Sequence, residues 1–93
     1  MIGRDSLVKH LEQFKRYPSG AQSRGEEGIV VLSFSVDRSG HVLAHQIVKS
    51  SGFADLDAEV MQMIERAQPL PVFTTDMTEP KLDLNVPIRF SLK

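Results

Sequence analysis

The chain has 93 residues, enough for one small domain around one core. Its 11 basic and 12 acidic side chains leave a net charge of −1, which excludes a basic footprint for nucleic acid or an anionic membrane. Cysteine is absent, which excludes disulfides, zinc–thiolate centres and thiol catalysis.

No signal peptide is visible, and no apolar run approaches the roughly 20 residues that span a bilayer. Residues 5–16, "DSLVKHLEQFKR", read as a helix: Leu7, Leu11 and Phe14, with Val8, make one apolar stripe. Asp5 or Ser6 caps its start and Pro18 stops it. Residues 18–28 read as a polar, glycine-rich loop. Residues 29–36 read as a strand, with Val30, Leu32, Phe34 and Val36 on one face and Ser33 and Ser35 on the other. "DRSG" (37–40) is a hairpin turn, and 41–50 is the return strand. The alternation of that strand is broken, as a bulge or a two-sided environment would explain. The spacing of Leu56, Val60, Ile64 and Ala67 predicts a helix over 55–67, with Asp55 as N-cap, Asp57 and Glu59 in the first turn and Arg66 in the last. Residues 68–81 form a long loop, whose Leu70, Val72 and Phe73 tie it to the domain. The last strand, 82–92, alternates most cleanly: Leu82, Leu84, Val86, Ile88, Phe90 and Leu92 against Asp83, Asn85, Pro87, Arg89 and Ser91.

The order αββαβ predicts an α+β domain. A hairpin followed by a helical crossover gives a three-stranded sheet of order 2-1-3 with the helices on its apolar face. The third strand is then an edge. Pro87 agrees with that placement, since proline has no N–H for a central ladder.

Candidate chemistry is sparse. "KSSGF" (49–53) lacks the leading glycine of a nucleophile elbow, so Ser50 and Ser51 read as the end of a strand and Gly52 as its turn. "SLVK" (6–9) matches the S-x-x-K spacing of penicillin-binding enzymes without their other motifs. "GAQSRGEE" (20–27) has phosphate-loop glycine spacing, but Glu26 and Glu27 stand where Lys-Ser/Thr is needed. His41 and His45 would share a strand face about 13 Å apart, too far for one metal ion. Asp55, Asp57 and Glu59 read as cap and dipole partners, not as an acid–base set. The remaining feature is the edge strand itself, either a template for an added strand or an edge protected by Pro87, Asp83, Arg89 and Lys93.

Five segments in order carry a resemblance: "YPSGA" (17–21), "EGIVVLSFSVDRSGHV" (27–42), "IVKSSGFADLD" (47–57), "AQPLP" (67–71) and "VPIRFSL" (86–92). The chain resembles the C-terminal periplasmic domain of TonB-family energy transducers. The resemblance implies a periplasmic domain of an inner-membrane-anchored protein of a Gram-negative bacterium, carried on a proline-rich linker. Neither anchor nor linker lies within these 93 residues. It further implies a non-enzymatic module without a cofactor. The expected partners are an outer-membrane receptor, whose TonB box peptide adds as a strand, and the proton-driven ExbB–ExbD complex, which supplies energy for uptake of iron chelates, haem or vitamins.

Carried over by position, the docking strand is 82–92, with Asp83, Leu84, Asn85, Val86, Pro87, Arg89 and Ser91 as contacts. The segment Phe14 to Pro18, with Arg16 and Tyr17, is the second contact. Gln68 to Pro71 stands where some members have an aromatic-rich segment. The odd positions of the last strand are expected to aim their backbone outward, so that Pro87 offers only a carbonyl; with the opposite parity Pro87 instead weakens pairing to the first strand. A coupling domain of the TolA type and a small-ligand sensor domain are the alternative readings, and an edge strand also allows a homodimer.

Overall fold

The structure, a computed structural model, describes residues 4–71 and 80–92, with side chains from Val8 onward. The elements are α1 (Arg4–Gln13), α2 (Ser19–Ser23), β1 (Gly28–Asp37), β2 (Val42–Lys49), α3 (Ala54–Arg66) and β3 (Lys81–Phe90). The three strands form one sheet of order β2-β1-β3, both pairs antiparallel, as the hairpin and crossover require.

One face of the sheet is greasy and covered. Val30, Leu32, Phe34 and Val36 of β1 meet Leu84, Val86, Ile88 and Phe90 of β3, beneath Leu56, Val60, Met63 and Ile64 of α3. All are nearly or fully buried, and each such side chain contributes about 1.5–3 kcal/mol relative to exposure. Leu11 and Ala21 extend this core to α1 and α2. Met61 stays half-buried while Met63 is fully inside.

The broken alternation of β2 is a pair of bulges. Its pairing with β1 steps from Lys49 to Ile47 and from Ala44 to Val42, so Val48 and Leu43 are the extra residues. Both point out of the ladder, at 52% and 57% exposure. The slips also change faces. His45 lies opposite Phe34, on the helix side, and is half-buried. It therefore does not share an open strand face with His41, which precedes the strand.

Four boundaries differ from expectation. First, α1 ends at Gln13 and does not reach Arg16. Short bonds from Phe14 N–H to Leu11 O (3.0 Å) and Lys15 N–H to Glu12 O (3.2 Å) tighten the last turn, and α3 side chains then take the polar groups at 14 and 16. Second, the 18–28 loop contains α2, which has Pro18 as its N-cap and is pinned by the fully buried Ala21. Third, the N-cap of α3 is Phe53, which makes no side-chain cap bond, and Asp55 instead pairs with Arg24 at 2.6 Å. Fourth, β3 ends at Phe90, and Leu92 is 41% exposed, not part of the inward face.

The segment after α3 is stitched to the hairpin. Leu70 N–H donates to Gly40 O at 2.7 Å, and the Gln68 side-chain oxygen accepts from Val42 N–H at 2.9 Å. Gly40 sits at φ +90°, and a Cβ there would lie 2.1 Å from Leu70 O, so only glycine fits. Leu70 is buried; Val72 and Phe73 lie outside the described residues.

Candidate functional site

The backbone direction of β3 follows from the hairpin. Asp37 donates its N–H to His41 O (2.9 Å), and its own carbonyl accepts from Gly40 N–H (3.0 Å), so both its polar groups face β2. Backbone groups alternate sides along a strand. Both bulges are in β2, and β1 pairs with β3 in unbroken register from Gly28↔Phe90 to Asp37↔Lys81. The even residues of β1 therefore face β3. Their partners Leu82, Leu84, Val86, Ile88 and Phe90 are bonded inward, while Lys81, Asp83, Asn85 and Arg89 aim N–H and carbonyl at the open side and Pro87 its carbonyl alone. Two contacts agree with this parity. Leu92 N–H turns inward to Glu27 Oε2 at 3.0 Å, and the Arg89 carbonyl, on the outer side, accepts from Lys15 Nζ at 2.6 Å. Pro87 thus sits where its missing N–H costs the β1–β3 ladder nothing.

The site residues expected at the last strand separate into three groups. Asp83, Asn85, Pro87 and Arg89 are exposed and edge-facing, and Asp83 also accepts from the Ser35 hydroxyl across the open face. Leu84 and Val86 give their side chains to the core and their backbone to Phe34 and Leu32, so they support the edge from behind. Ser91 lies beyond the end of β3 and is exposed.

The Phe14–Pro18 segment comes to the Phe90 end of this edge. Tyr17 packs edge-on against Phe90, with ring centroids 5.4 Å apart, and its hydroxyl bonds the Glu26 carbonyl. Burial, then the nearby Glu27 and Glu26 carboxylates, raise its pKa above that of a free phenol. Phe14 is half-buried beside His10, whose Nε2 lies 2.8 Å from Ala67 O. Arg16 and Pro18 line a shallow groove against Asp55, Ala58 and Gln62 of α3.

What holds this segment is a group the sequence reading left as a dipole partner. Glu59 is 7% exposed and ion-paired to Arg66. Glu59 Oε2 also accepts from Arg16 N–H at 2.7 Å, and Arg66 Nη2 donates to the Phe14 carbonyl at 2.8 Å. Their spacing of seven residues on one helix was the available signal, since it places both on the same face two turns apart.

The serine corner is tied together by its own bonds. Asp57 accepts from the hydroxyls of Ser50 and Ser51 and from Ser51 N–H, and Gly52 turns at φ +93°. Burial pushes the Asp57 carboxyl up, but these donors outweigh it and leave the pKa below the usual value. Among the described residues no three His, Cys, Asp or Glu side chains group to hold a metal ion.

Residues 13–92 match the family described as Gram-negative bacterial TonB protein C-terminal. A TonB protein of Pseudomonas putida is 44% identical over 64 residues, covering 69% of this chain and 26% of that protein. The TonB protein of Vibrio cholerae is 32% identical over 93 residues, all of this chain and 37% of the relative. The chain therefore spans well under half the length of these relatives. The solution structure of the Helicobacter pylori TonB C-terminal domain superposes with a TM-score of 0.80 at 31% identity, over 96% of this chain and 79% of that one. The HasB C-terminal domain does so with a TM-score of 0.62 at 38% identity, over 97% and 70%. A chain with this element order and sheet order, matched to the family along nearly its whole length, is a member of the TonB C-terminal domain family.

Proposed function

We propose that this domain is a non-enzymatic peptide-binding module that takes the TonB box of an outer-membrane receptor as an added strand along β3. In this reading it works in the periplasm, as the far end of a protein anchored in the inner membrane. The ExbB–ExbD complex drives it with the proton gradient. The pull it transmits opens the receptor for nutrients such as iron chelates, haem or vitamins.

The observation that carries the reading is the edge of β3: a ten-residue strand in unbroken register whose odd residues aim their backbone groups outward. About five strand bonds at about 1 kcal/mol net each supply on the order of 5 kcal/mol. Association costs subtract from this and side-chain contacts add, so a Kd between about mM and μM is expected. Such a grip is reversible, and a strand pulled along its length must break its bonds together.

The test is titration of labelled domain with synthetic receptor N-terminal peptides, followed by amide NMR shifts. Shifts concentrated on residues 81–90 support strand addition. Shifts scattered over α3 and the hairpin, or none with any peptide, would overturn it.

A further inference from the structure

The outer edge of β3 is not open along its full length. At its far end the Lys15 ammonium donates to the Arg89 carbonyl at 2.6 Å. That carbonyl belongs to the outward set, the kind of group an added strand's N–H would take. A charge-assisted bond from an ammonium is about twice as strong as a neutral strand bond, so an incoming amide does not displace it on equal terms.

Lys15 is held in place and is not a loose surface lysine. On one side of it, the Phe14 carbonyl accepts from Arg66 Nη2; on the other, Arg16 N–H donates to Glu59. Arg66 and Glu59 are themselves ion-paired on α3. The ammonium also lies 5.4 Å from the centroid of the Phe90 ring. With its backbone neighbours fixed and its ammonium beside a ring, Lys15 loses less freedom on bonding than a free lysine would. Two residues before Arg89, Pro87 has no N–H to offer. The acceptor at Arg89 is taken and the donor at 87 is missing, so both halves of the backbone pattern fail at the same end. Lysine and proline are the residues that blunt edge strands elsewhere.

We infer that Lys15 is a plug that terminates the docking edge, confining a bound peptide strand to the stretch from Lys81 to Pro87 and setting its register. This inference rests on the strand-addition reading. It concerns where pairing stops, which that reading leaves open.

The test uses the 93-residue chain, synthetic receptor N-terminal peptides carrying the TonB box, and the variants Lys15→Met and Lys15→Arg. In the unaltered chain, bound peptide protects the Asp83 and Asn85 amides from hydrogen exchange and leaves Arg89 N–H unprotected. Lys15→Met keeps an apolar stem beside Phe90 and removes the cation. Protection then extends to Arg89 N–H, and affinity rises about three- to tenfold, the equivalent of one added strand bond. The carbonyl carbon shift of Arg89 also moves in Lys15→Met without any peptide. Lys15→Arg keeps the original protection pattern. Protection that runs through Arg89 in the unaltered chain overturns the plug alone, as does a Lys15→Met variant with unchanged protection and affinity. If no peptide protects Asp83 or Asn85, strand addition itself fails and the limit on docking falls with it.

Discussion

The two free edges of the sheet are built in opposite ways. The β2 edge is broken twice, at Leu43 and Val48, so its outward backbone groups do not run in one repeat. The β3 edge keeps one register over its full length, and its single proline falls at an outward position. Bulges that bend and twist a strand are a common way to spoil an edge for pairing. The sheet thus has one edge whose backbone repeat is interrupted and one whose repeat is regular over its length, the pattern that the proposed strand addition needs. The difference favours β3 over β2 for the proposed docking on backbone pattern alone.

Paired proline substitutions break the comparison most sharply. Val86→Pro removes an inward N–H bonded to β1 and some buried surface, and is expected to cost about 3 kcal/mol in chemical denaturation. Asn85→Pro, one residue away, removes an outward N–H. It is expected to cost about 1 kcal/mol of stability while weakening peptide binding at least about tenfold by calorimetry. Equal stability losses at the two positions would mean that the parity of β3 is reversed. At the β2 end, Gly40→Ala forces a Cβ into the Leu70 carbonyl at positive φ and is expected to cost about 2–3 kcal/mol, read as a lowered melting temperature.

The serine corner, which launches the crossover to β3, gives a smaller effect. Asp57→Asn is expected to cost about 1–2 kcal/mol near neutral pH. The folded pKa of Asp57 is depressed, so its contribution is complete above the unfolded value, about 3.9, and is lost as pH falls through the folded one. The gap between Asp57→Asn and the unaltered chain should therefore close in acid. A gap that persists at pH 2 would assign the effect to shape instead of charge. Smallest of all, Leu43→Ser and Val48→Ser should change stability by less than about 0.5 kcal/mol and leave peptide affinity unchanged. A loss of affinity there would move docking to the β2 edge.

Much of this arrangement is legible in the sequence. The inward residues of β1 and β3 are spelled out by period-two alternation, and a broken alternation marked the irregular strand. Pro87 pointed to the edge. The short helix α2 was not legible, because five residues of Ser, Gly, Ala and Gln carry no period and are held by one buried alanine. The cap of α3 is Phe53 and not Asp55, whose salt bridge with Arg24 depends on a residue 31 positions away. Glu59 reads as a dipole partner: its spacing to Arg66 is legible, but the Arg16 N–H that it accepts from lies 43 positions away.

By itself the sequence determined the element order, the apolar faces and hence the sheet order, because these depend on periodicity and connection length within short windows. Only the tertiary structure decided which way the outward backbone of β3 points, where the bulges of β2 fall, and that Lys15 reaches the Arg89 carbonyl 74 residues away. Those features arise when strands lock into register and when a buried ion pair fixes a distant segment, and neither event leaves a local signature in the order of amino acids.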